Sequence, residues 1–132
     1  MVRVLIVEDS PDALEMLRVL LELEGYDVWS AANGPDALRV AEAARPDVAL
    51  IDIGLPGIDG IEVCRQLRAQ PWGRAMFLVA QTGWGEDSDR QQSAEAGFDV
   101  HLTKPLDPAV LTAMLDSRRR ANGGADPSSE PA

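Results

Sequence analysis

Short apolar runs alternate with longer amphipathic stretches along most of the chain. The apolar runs, rich in Val, Ile and Leu, occupy residues 3–7, 26–31, 47–51, 75–81 and 98–103. Between them, apolar residues recur at helical spacing, as in the series Leu14, Leu17 and Leu21. Strand–helix repeats of this length predict an α/β protein with a parallel sheet covered by helices on both faces. The runs are mostly continuous rather than alternating, which agrees because central parallel strands are buried on both sides.

Capping residues mark the predicted helix starts. Ser10, Gly34 and Asp107 each precede a proline, and we expect them to cap helices whose first position is that proline. Asp59 is expected to cap the helix that follows the third strand. The stretch 86–96 is weakly apolar and is also assigned to a helix, because it separates the fourth and fifth apolar runs.

The length of 132 residues suits one domain with a single core. After Arg120 the composition changes to Gly, Pro, Ser and Ala without an apolar stripe, which is typical of a flexible segment. We therefore expect one domain over residues 1–120 and a flexible tail over residues 121–132.

The excess of acidic over basic residues makes some classes of binding partner less favourable. There are 22 acidic residues against 12 Lys and Arg, a net charge of −10, which disfavours direct binding to nucleic acid or to an anionic membrane. The one cysteine, Cys64, lies at helical spacing from Ile61 and Leu67, so we predict a buried core thiol in a reducing compartment. No apolar run has membrane-spanning length and no signal-peptide pattern opens the chain, so a cytoplasmic location is expected.

Polar side chains end four of the apolar runs. Glu8 and Asp9 follow the first, Asp52 the third, Thr82 the fourth and Lys104 the fifth. Since the carboxyl ends of parallel strands meet at one edge of a sheet, where open α/β sheets bind ligands, these side chains should converge.

The chemistry of such a convergence points to phosphoryl transfer. Three neighbouring carboxylates repel one another, and a hard divalent cation with oxygen ligands, such as Mg²⁺, relieves that repulsion. A carboxylate can attack phosphorus to form an aspartyl phosphate, while the metal and Lys104 neutralise charge and the Thr82 hydroxyl donates a hydrogen bond to a phosphoryl oxygen.

The ordered motifs resemble the receiver domain of bacterial two-component response regulators over about residues 2–120. Four motifs carry the resemblance: Glu8-Asp9, Asp52-Ile53-Gly54-Leu55-Pro56, Thr82-Gly83 and Lys104-Pro105. The resemblance implies a doubly wound, five-stranded (βα)5 flavodoxin-like sheet of strand order 2-1-3-4-5. It also implies a phosphorylation-controlled switch, which catalyses only its own phosphorylation and dephosphorylation and is not an enzyme in the usual sense.

The same resemblance implies roles for individual residues. Asp52 would accept a phosphoryl group from a phosphohistidine of a histidine kinase or a histidine phosphotransfer protein. Asp9, Asp52 and the Gly54 carbonyl would ligate Mg²⁺ directly, and Glu8 would act through metal-bound water. The downstream protein target is unknown; the family's usual output face is formed by the fourth helix, fifth strand and fifth helix.

Three further positions complete the implied site. Lys104 would pair with the phosphoryl group, and the Lys104–Pro105 peptide bond would be cis. Thr82 and His101 would be the switch residues, although the family usually has Tyr or Phe where this chain has His101. Trp84 would cover the phosphate side that Gly54 leaves open, and its fluorescence would report closure of the loop.

Four other functions compete with this one. The segment Thr82-Gly83-Trp84-Gly85 is also reminiscent of receivers attached to hybrid histidine kinases, so the chain could be a module of such a protein. An aspartyl-nucleophile phosphohydrolase needs a second acid two residues after the nucleophile, where Gly54 stands. A nucleotide or flavin carrier is disfavoured because no Gly-Lys-Ser/Thr loop occurs. A degenerate scaffold is disfavoured because all the expected site residues are present.

Overall fold

The computed structural model describes residues 2–83, 87–104 and 106–124, in which strands and helices alternate. The strands are β1 (Arg3–Val7), β2 (Asp27–Ala31), β3 (Val48–Asp52), β4 (Phe77–Thr82) and β5 (Val100–Thr103). The helices are α1 (Pro11–Leu23), α2 (Gly34–Ala44), α3 (Gly60–Ala69), α4 (Asp87–Ala96) and α5 (Pro108–Gly124), and a 3-10 turn spans Pro71–Gly73. The weakly apolar stretch before β5 is therefore helical, as predicted.

The five strands form one parallel sheet of order β2-β1-β3-β4-β5, which confirms the predicted doubly wound, flavodoxin-like architecture. In the register of the central strands, Val7 lies beside Ile51 and Asp52 lies beside Gln81. The residues that follow or end β1, β3 and β4 therefore meet at the carboxyl edge of the sheet.

Each face of the sheet packs against its own set of helices. One core contains the small and branched residues of α2 and α3, such as Ala41 and Val63, against Leu5, Ile51 and Leu78 of the strands. Alternate strand residues point to the opposite face. There Ile6, Leu50 and Val79 pack against Leu17 of α1 and Leu111 of α5. Cys64 of α3 is fully buried in the first core, and desolvation raises the pKa of its thiol to about 11, as expected for a packed core residue.

Three of the predicted helix starts are confirmed. The Ser10 hydroxyl accepts a hydrogen bond from the Ala13 N–H at the start of α1, and the Asp59 carboxylate accepts one from Glu62 at the start of α3. The Asp107 carboxylate accepts one from the Ala109 N–H as α5 begins. Each oxygen satisfies a backbone donor that the helix itself leaves unpaired.

The predicted cap of α2 is wrong. Asn33 is the cap, and its side-chain oxygen accepts a hydrogen bond of 2.8 Å from the Asp36 N–H, while Gly34 is already helical. Glycine is needed at position 34 for another reason. A β-carbon there would lie 3.0 Å from the Ile58 carbonyl oxygen and 3.1 Å from a Val63 methyl, so the absent side chain lets α2 approach the start of α3 closely.

The last helix continues past the predicted end of the domain. Helix α5 runs to Gly124, four residues beyond residue 120, where we expected the tail to begin. Residues 125–132 lie outside the described part of the chain, so the predicted flexibility of the tail stays a prediction. Within the described residues, no helix combines the length and the apolar character needed to cross a membrane.

Candidate functional site

The end of β1 delivers two carboxylates to the sheet edge in different environments. The backbone N–H of Glu8 donates to the Ala31 carbonyl at 3.0 Å, which extends the pairing of β1 with β2 by one residue. The Glu8 side chain is buried, and its Oε2 accepts a hydrogen bond of 3.1 Å from the Ser10 N–H. Asp9, one residue later, is exposed. The short turn before α1 therefore fixes Glu8 and leaves Asp9 accessible.

Asp52 ends β3 with its carboxylate at the same edge. It is almost completely buried, and its Oδ1 accepts a hydrogen bond of 2.9 Å from the Gly54 N–H. The loop behind it is compact, because the Gly60 N–H donates to the Ile53 carbonyl at 3.1 Å. A β-carbon on Gly60 would lie 2.4 Å from the Asp52 carbonyl oxygen, so only glycine permits this approach of α3. The backbone around Asp52 is therefore tightly fixed.

Lys104 brings a positive charge to these carboxylates. Its Nζ lies 2.8 Å from Glu8 Oε1 and 3.1 Å from Asp52 Oδ2, and its backbone N–H donates to the Thr82 carbonyl at 2.7 Å. Burial lowers the pKa of Lys104, but the hydrogen bonds and charges of Glu8 and Asp52 outweigh it and raise the pKa above the ordinary lysine value. Lys104 therefore stays protonated at neutral pH.

The three carboxylates form a cluster that fits a divalent cation. One oxygen from each of Glu8, Asp9 and Asp52 lies within 4.8 Å of the other two. Oxygen donors at this spacing, one of them exposed, suit Mg²⁺, which binds one or two carboxylates and keeps several waters. The Gly54 peptide lies beside Asp52 through the hydrogen bond from its N–H. Ligation by the Gly54 carbonyl stays a prediction.

The two expected switch residues lie on neighbouring strands. Thr82 ends β4 and is buried, and its register partner on β5 is Thr103. His101 is half-buried, and its Nδ1 lies 3.1 Å from the Ser93 hydroxyl of α4. The side chain of His101 is thus connected to a helix of the expected output face. Its role as a switch, like that of Thr82, stays a prediction.

Two expectations lie outside the described residues. One is that Trp84 covers the phosphate side of the site, and the other is that the Lys104–Pro105 peptide bond is cis.

Gln81 was missed by the sequence analysis. It is the last residue of the predicted apolar run 75–81, yet it is a polar residue that is only 1% exposed and lies beside Asp52 in the register of β3 and β4. A carboxamide next to the end of a buried strand was the available signal, because buried polar groups normally require a partner.

Comparison with known proteins agrees with this geometry. Residues 4–116 match the family model of the response regulator receiver domain. The chain is 39% identical over 129 residues to the alkaline phosphatase synthesis transcriptional regulatory protein PhoP of Bacillus subtilis (strain 168), covering 97% of this chain and 52% of that protein. The chain therefore spans about half the length of this relative.

Solved structures with 31% and 36% sequence identity to this chain share its fold. The chemotaxis protein CheY4 of Vibrio cholerae superposes with a TM-score of 0.85 at 31% identity, covering 89% of this chain and 98% of that one. The receiver domain of the sensor histidine kinase PA1611 from Pseudomonas aeruginosa PAO1 superposes with a TM-score of 0.81 at 36% identity, covering 87% and 94%. That structure holds a magnesium ion in its active-site cleft.

Proposed function

Because the chain belongs to the response regulator receiver family, we propose that it is a phosphorylation-dependent signalling switch in which Asp52 accepts a phosphoryl group from a phosphohistidine. The observation that carries this proposal is the contact of one ammonium, Lys104, with two buried carboxylates, Glu8 and Asp52, beside the exposed Asp9. An ion pair with a purely structural role would need one carboxylate beside Lys104. A metal site needs several, and here Glu8, Asp9 and Asp52 lie together.

The residues present suit Mg²⁺, and we assign the metal to Glu8, Asp9, Asp52 and the Gly54 carbonyl. When bound, the metal would offset the negative charge of the carboxylates and of the incoming phosphoryl group. Asp9 is the exposed member of the cluster, so a metal ion would enter from its side. The Glu8 carboxylate is held in place by the hydrogen bond from the Ser10 N–H.

In the proposed step, a carboxylate oxygen of Asp52 attacks the phosphorus of the donor phosphohistidine. The bond between phosphorus and the imidazole nitrogen breaks, its electron pair remains on that nitrogen, and an aspartyl phosphate forms. The Gly54 N–H holds Asp52 Oδ1 in place during the attack. Lys104 would donate to a phosphoryl oxygen, and Thr82 would move toward the phosphate and donate from its hydroxyl.

The change in Thr82 would be transmitted through β5 and α4. His101 belongs to β5, and its hydrogen-bond contact with Ser93 of α4 links the two elements directly. We propose that repacking of His101 alters the surface formed by α4, β5 and α5, to which an unidentified protein target binds.

The partners and the context follow from the same family. The phosphodonor would be a histidine kinase or a histidine phosphotransfer protein in the cytoplasm. One relative is by name a transcriptional regulator and one structural neighbour is part of a sensor histidine kinase. The proposal therefore covers either setting: part of a response regulator, or a receiver module of a hybrid kinase. The prediction that this chain itself binds no nucleic acid stays open to test.

The decisive experiment is phosphorylation of the wild-type chain and of Asp52→Asn by acetyl phosphate. With Mg²⁺, wild type should gain one phosphoryl group that hydroxylamine removes, as expected of an acyl phosphate. Asp52→Asn should gain none. Asp12→Asn removes an exposed aspartate from the first turn of α1 and serves as the matched control, which should be phosphorylated like wild type. Equal phosphorylation of Asp52→Asn would refute the assignment.

The same assay separates the switch from a phosphohydrolase. A switch should consume acetyl phosphate only as fast as its own aspartyl phosphate decays, and it should not hydrolyse a generic phosphomonoester. Many turnovers on such an ester would favour the phosphohydrolase instead, against the evidence of Gly54 at the position of its second acid.

A further inference from the structure

Gln81 presents an unusual feature one residue before the end of β4. Its side chain is buried, and neither its carboxamide oxygen nor its nitrogen has a hydrogen-bond partner among the described residues. A buried carboxamide without a partner has lost its hydration without compensation, and most buried polar groups in native proteins are paired. Such a group requires an explanation, and a partner that is present in another state of the protein would provide one.

The sheet places this carboxamide directly beside the phosphoacceptor. Gln81 is the register partner of Asp52 on β3, and neighbouring strands are about 4.8 Å apart. On its other side Gln81 is the register partner of Leu102 on β5. Side chains alternate between the faces of a sheet, so Asp52, Gln81, Leu102 and Lys104 all belong to the face covered by α1 and α5. The packing of Leu50, Val79 and Leu102 in that core agrees.

The carboxamide and the lysine also share a cavity. A space of about 400 Å³ lies between the sheet edge and α1, and its polar lining consists of Glu8, Gln81 and Lys104. The rest of the lining is largely apolar, with Met16 and Leu17 on the α1 side. If the Lys104 ammonium leaves the carboxylates, it therefore has room to move along this face. Gln81 is the uncharged polar side chain in the lining of this cavity that could receive it.

A metal ion bound at these carboxylates would displace the ammonium in this way. The Lys104 ammonium now occupies oxygens of Glu8 and Asp52, two of the three residues in the cluster that suits Mg²⁺. A divalent cation on those carboxylates repels the ammonium and removes its acceptors. The ammonium has three N–H donors and needs new partners in a partly buried site. The oxygen of Gln81, which has no partner in the described part of the chain, is an acceptor of the right kind, on the same face and in the same cavity.

We infer that Gln81 is a positioning residue that accepts a hydrogen bond from the Lys104 ammonium when a metal ion occupies the carboxylates. In that position the ammonium remains beside Asp52, ready to donate to a phosphoryl oxygen. The inference rests on the proposed function, because it assumes that Mg²⁺ binds at Glu8, Asp9 and Asp52. It adds a residue to the site and gives a reason for a buried carboxamide that has no partner among residues 2–83, 87–104 and 106–124.

A double-mutant cycle between Gln81 and Lys104 tests the inference by Mg²⁺ affinity. The four proteins are wild type, Gln81→Leu, Lys104→Met and the double variant, titrated with Mg²⁺ by calorimetry. Gln81→Leu should weaken Mg²⁺ binding by about tenfold, the worth of a hydrogen bond to a charged group, because the ammonium then competes for the carboxylates. In the Lys104→Met background the same change should have an effect of less than about twofold, because no ammonium needs a partner.

The thermal midpoint without metal provides a second readout. Gln81→Leu removes a buried carboxamide for which the described residues supply no partner, so the metal-free variant should melt at or above the wild-type temperature. A merely structural role for Gln81 would instead lower the midpoint and weaken Mg²⁺ binding equally in both backgrounds. Gln81→Met, which keeps the length of the side chain, replaces Gln81→Leu should the latter fold poorly.

The outcomes separate this inference from the proposed function. Wild type that binds Mg²⁺, with Gln81→Leu and Gln81→Met binding it equally well, would overturn the role of Gln81 alone. Equal weakening in the presence and absence of Lys104 would also overturn it. Wild type that binds no Mg²⁺ at millimolar concentration would overturn the proposed function and, with it, the inference.

Discussion

Two cationic side chains lie at opposite edges of the sheet, and their surroundings differ. At the amino edge of β4 and β5, Arg68 donates hydrogen bonds to the carbonyls of Gly97, Gly73, Arg74 and Met76, at 2.8–3.1 Å. It also contacts the Asp99 carboxylate at 2.9 Å. These acceptors come from the segments before β4 and before β5. The Arg68 guanidinium therefore links α3 by hydrogen bonds to the start of both strands.

At the carboxyl edge, Lys104 makes two contacts instead of five, and both are with carboxylates. Those carboxylates belong to a cluster that suits a different cation. Beside them lies Gln81, whose carboxamide has no hydrogen-bond partner among the described residues. At the amino edge the Arg68 guanidinium has five partners, whereas at the carboxyl edge the Gln81 carboxamide has none in the described part of the chain.

The comparison indicates how one small domain separates stability from switching. Arg68 acts mainly on backbone carbonyls, which cannot move without moving the strands. Lys104 acts on side chains, which can exchange partners while the backbone stays fixed by contacts such as that of Gly60 with Asp52. Four predictions test this division, beginning with the largest expected effect.

Replacing Arg68 should give the largest loss of stability. Arg68→Met removes the hydrogen bonds to four backbone carbonyls, of which those of Gly73, Met76 and Gly97 are part-buried, and the ion pair with Asp99, which keeps the Leu78 N–H as a donor. We expect the free energy of unfolding to fall by about 3 kcal/mol. Urea denaturation measures this change. Arg65→Met on the same helix is the control, because Arg65 is exposed and its nearest Glu62 oxygen is 3.7 Å away; its effect should be below about 0.5 kcal/mol.

The comparison also requires that Arg68 be irrelevant to the metal site. Folded Arg68→Met, studied at low temperature, should bind Mg²⁺ with wild-type affinity. A large loss of Mg²⁺ affinity in this variant would mean that the two edges of the sheet are coupled.

The fixed backbone of the carboxyl edge is tested at Gly60. In Gly60→Ala the new β-carbon would lie 2.4 Å from the Asp52 carbonyl oxygen and 2.8 Å from the Ile53 Cα, so α3 must shift. We expect a loss of about 2 kcal/mol in unfolding free energy, although alanine itself favours a helix. Gly54→Ala is the matched variant, since its β-carbon would be 3.6 Å from the nearest atom, Asp52 Oδ1, and its stability should change by less than about 1 kcal/mol. Equal losses in both variants would argue against a tight contact at Gly60.

Lys104→Met should lower the stability of the metal-free protein and have little effect on the stability of the metal-bound protein. Without the ammonium, the buried Glu8 carboxylate and Asp52 repel each other, and we expect a loss of about 1–2 kcal/mol at neutral pH. Millimolar Mg²⁺ should offset most of the loss, because the metal supplies the missing positive charge. Thermal midpoints with and without Mg²⁺ measure both effects. A loss that Mg²⁺ leaves unchanged would refute the exchange of cations at this site.

The pH dependence of that difference has a defined sign. The pKa of Lys104 is raised in the folded protein, so its ion pairs contribute fully below the ordinary lysine pKa of about 10.4. The advantage of wild type over Lys104→Met should therefore persist from pH 7 to about pH 9 and decline as the pH rises through the folded pKa. A difference that grows above pH 10 would contradict the contacts of Lys104.

The sequence was a good guide to the architecture and to the residues of the carboxyl edge. Strand ends are marked by a change from apolar to polar residues, so Glu8, Asp52 and Lys104 could be brought together once the strands were taken as parallel. Helix caps were predicted where Ser, Gly or Asp precedes a proline, and the prediction was wrong at Gly34, which has no side-chain oxygen and where the close approach of another helix decides the residue.

The contacts of Arg68 and Gln81 could not be predicted in the same way. The acceptors of Arg68 lie in two segments that come together only when β4 and β5 are paired. Whether Gln81 has a partner depends on side chains from β3 and β5 and on α1, and a residue-by-residue pattern contains no such information. Long-range satisfaction of hydrogen bonds is a property of the packed structure.

The smallest expected effect concerns the contact between α4 and β5. Ser93→Ala removes the hydroxyl that lies 3.1 Å from His101 Nδ1, and we expect a loss of about 0.5–1 kcal/mol in unfolding free energy, the usual worth of one neutral hydrogen bond. Neither Mg²⁺ affinity nor the yield of aspartyl phosphate at Asp52 should change, because Ser93 is not a member of the carboxylate cluster. The amide NMR shifts of α4 on addition of beryllofluoride, a phosphoryl mimic, should become smaller, because His101 can no longer transmit its movement through this hydroxyl.

The control is Ser93→Cys, which keeps a side chain of similar size with a weaker donor and should give an intermediate response. Shifts in α4 of wild-type size in Ser93→Ala would show that His101 does not act through Ser93.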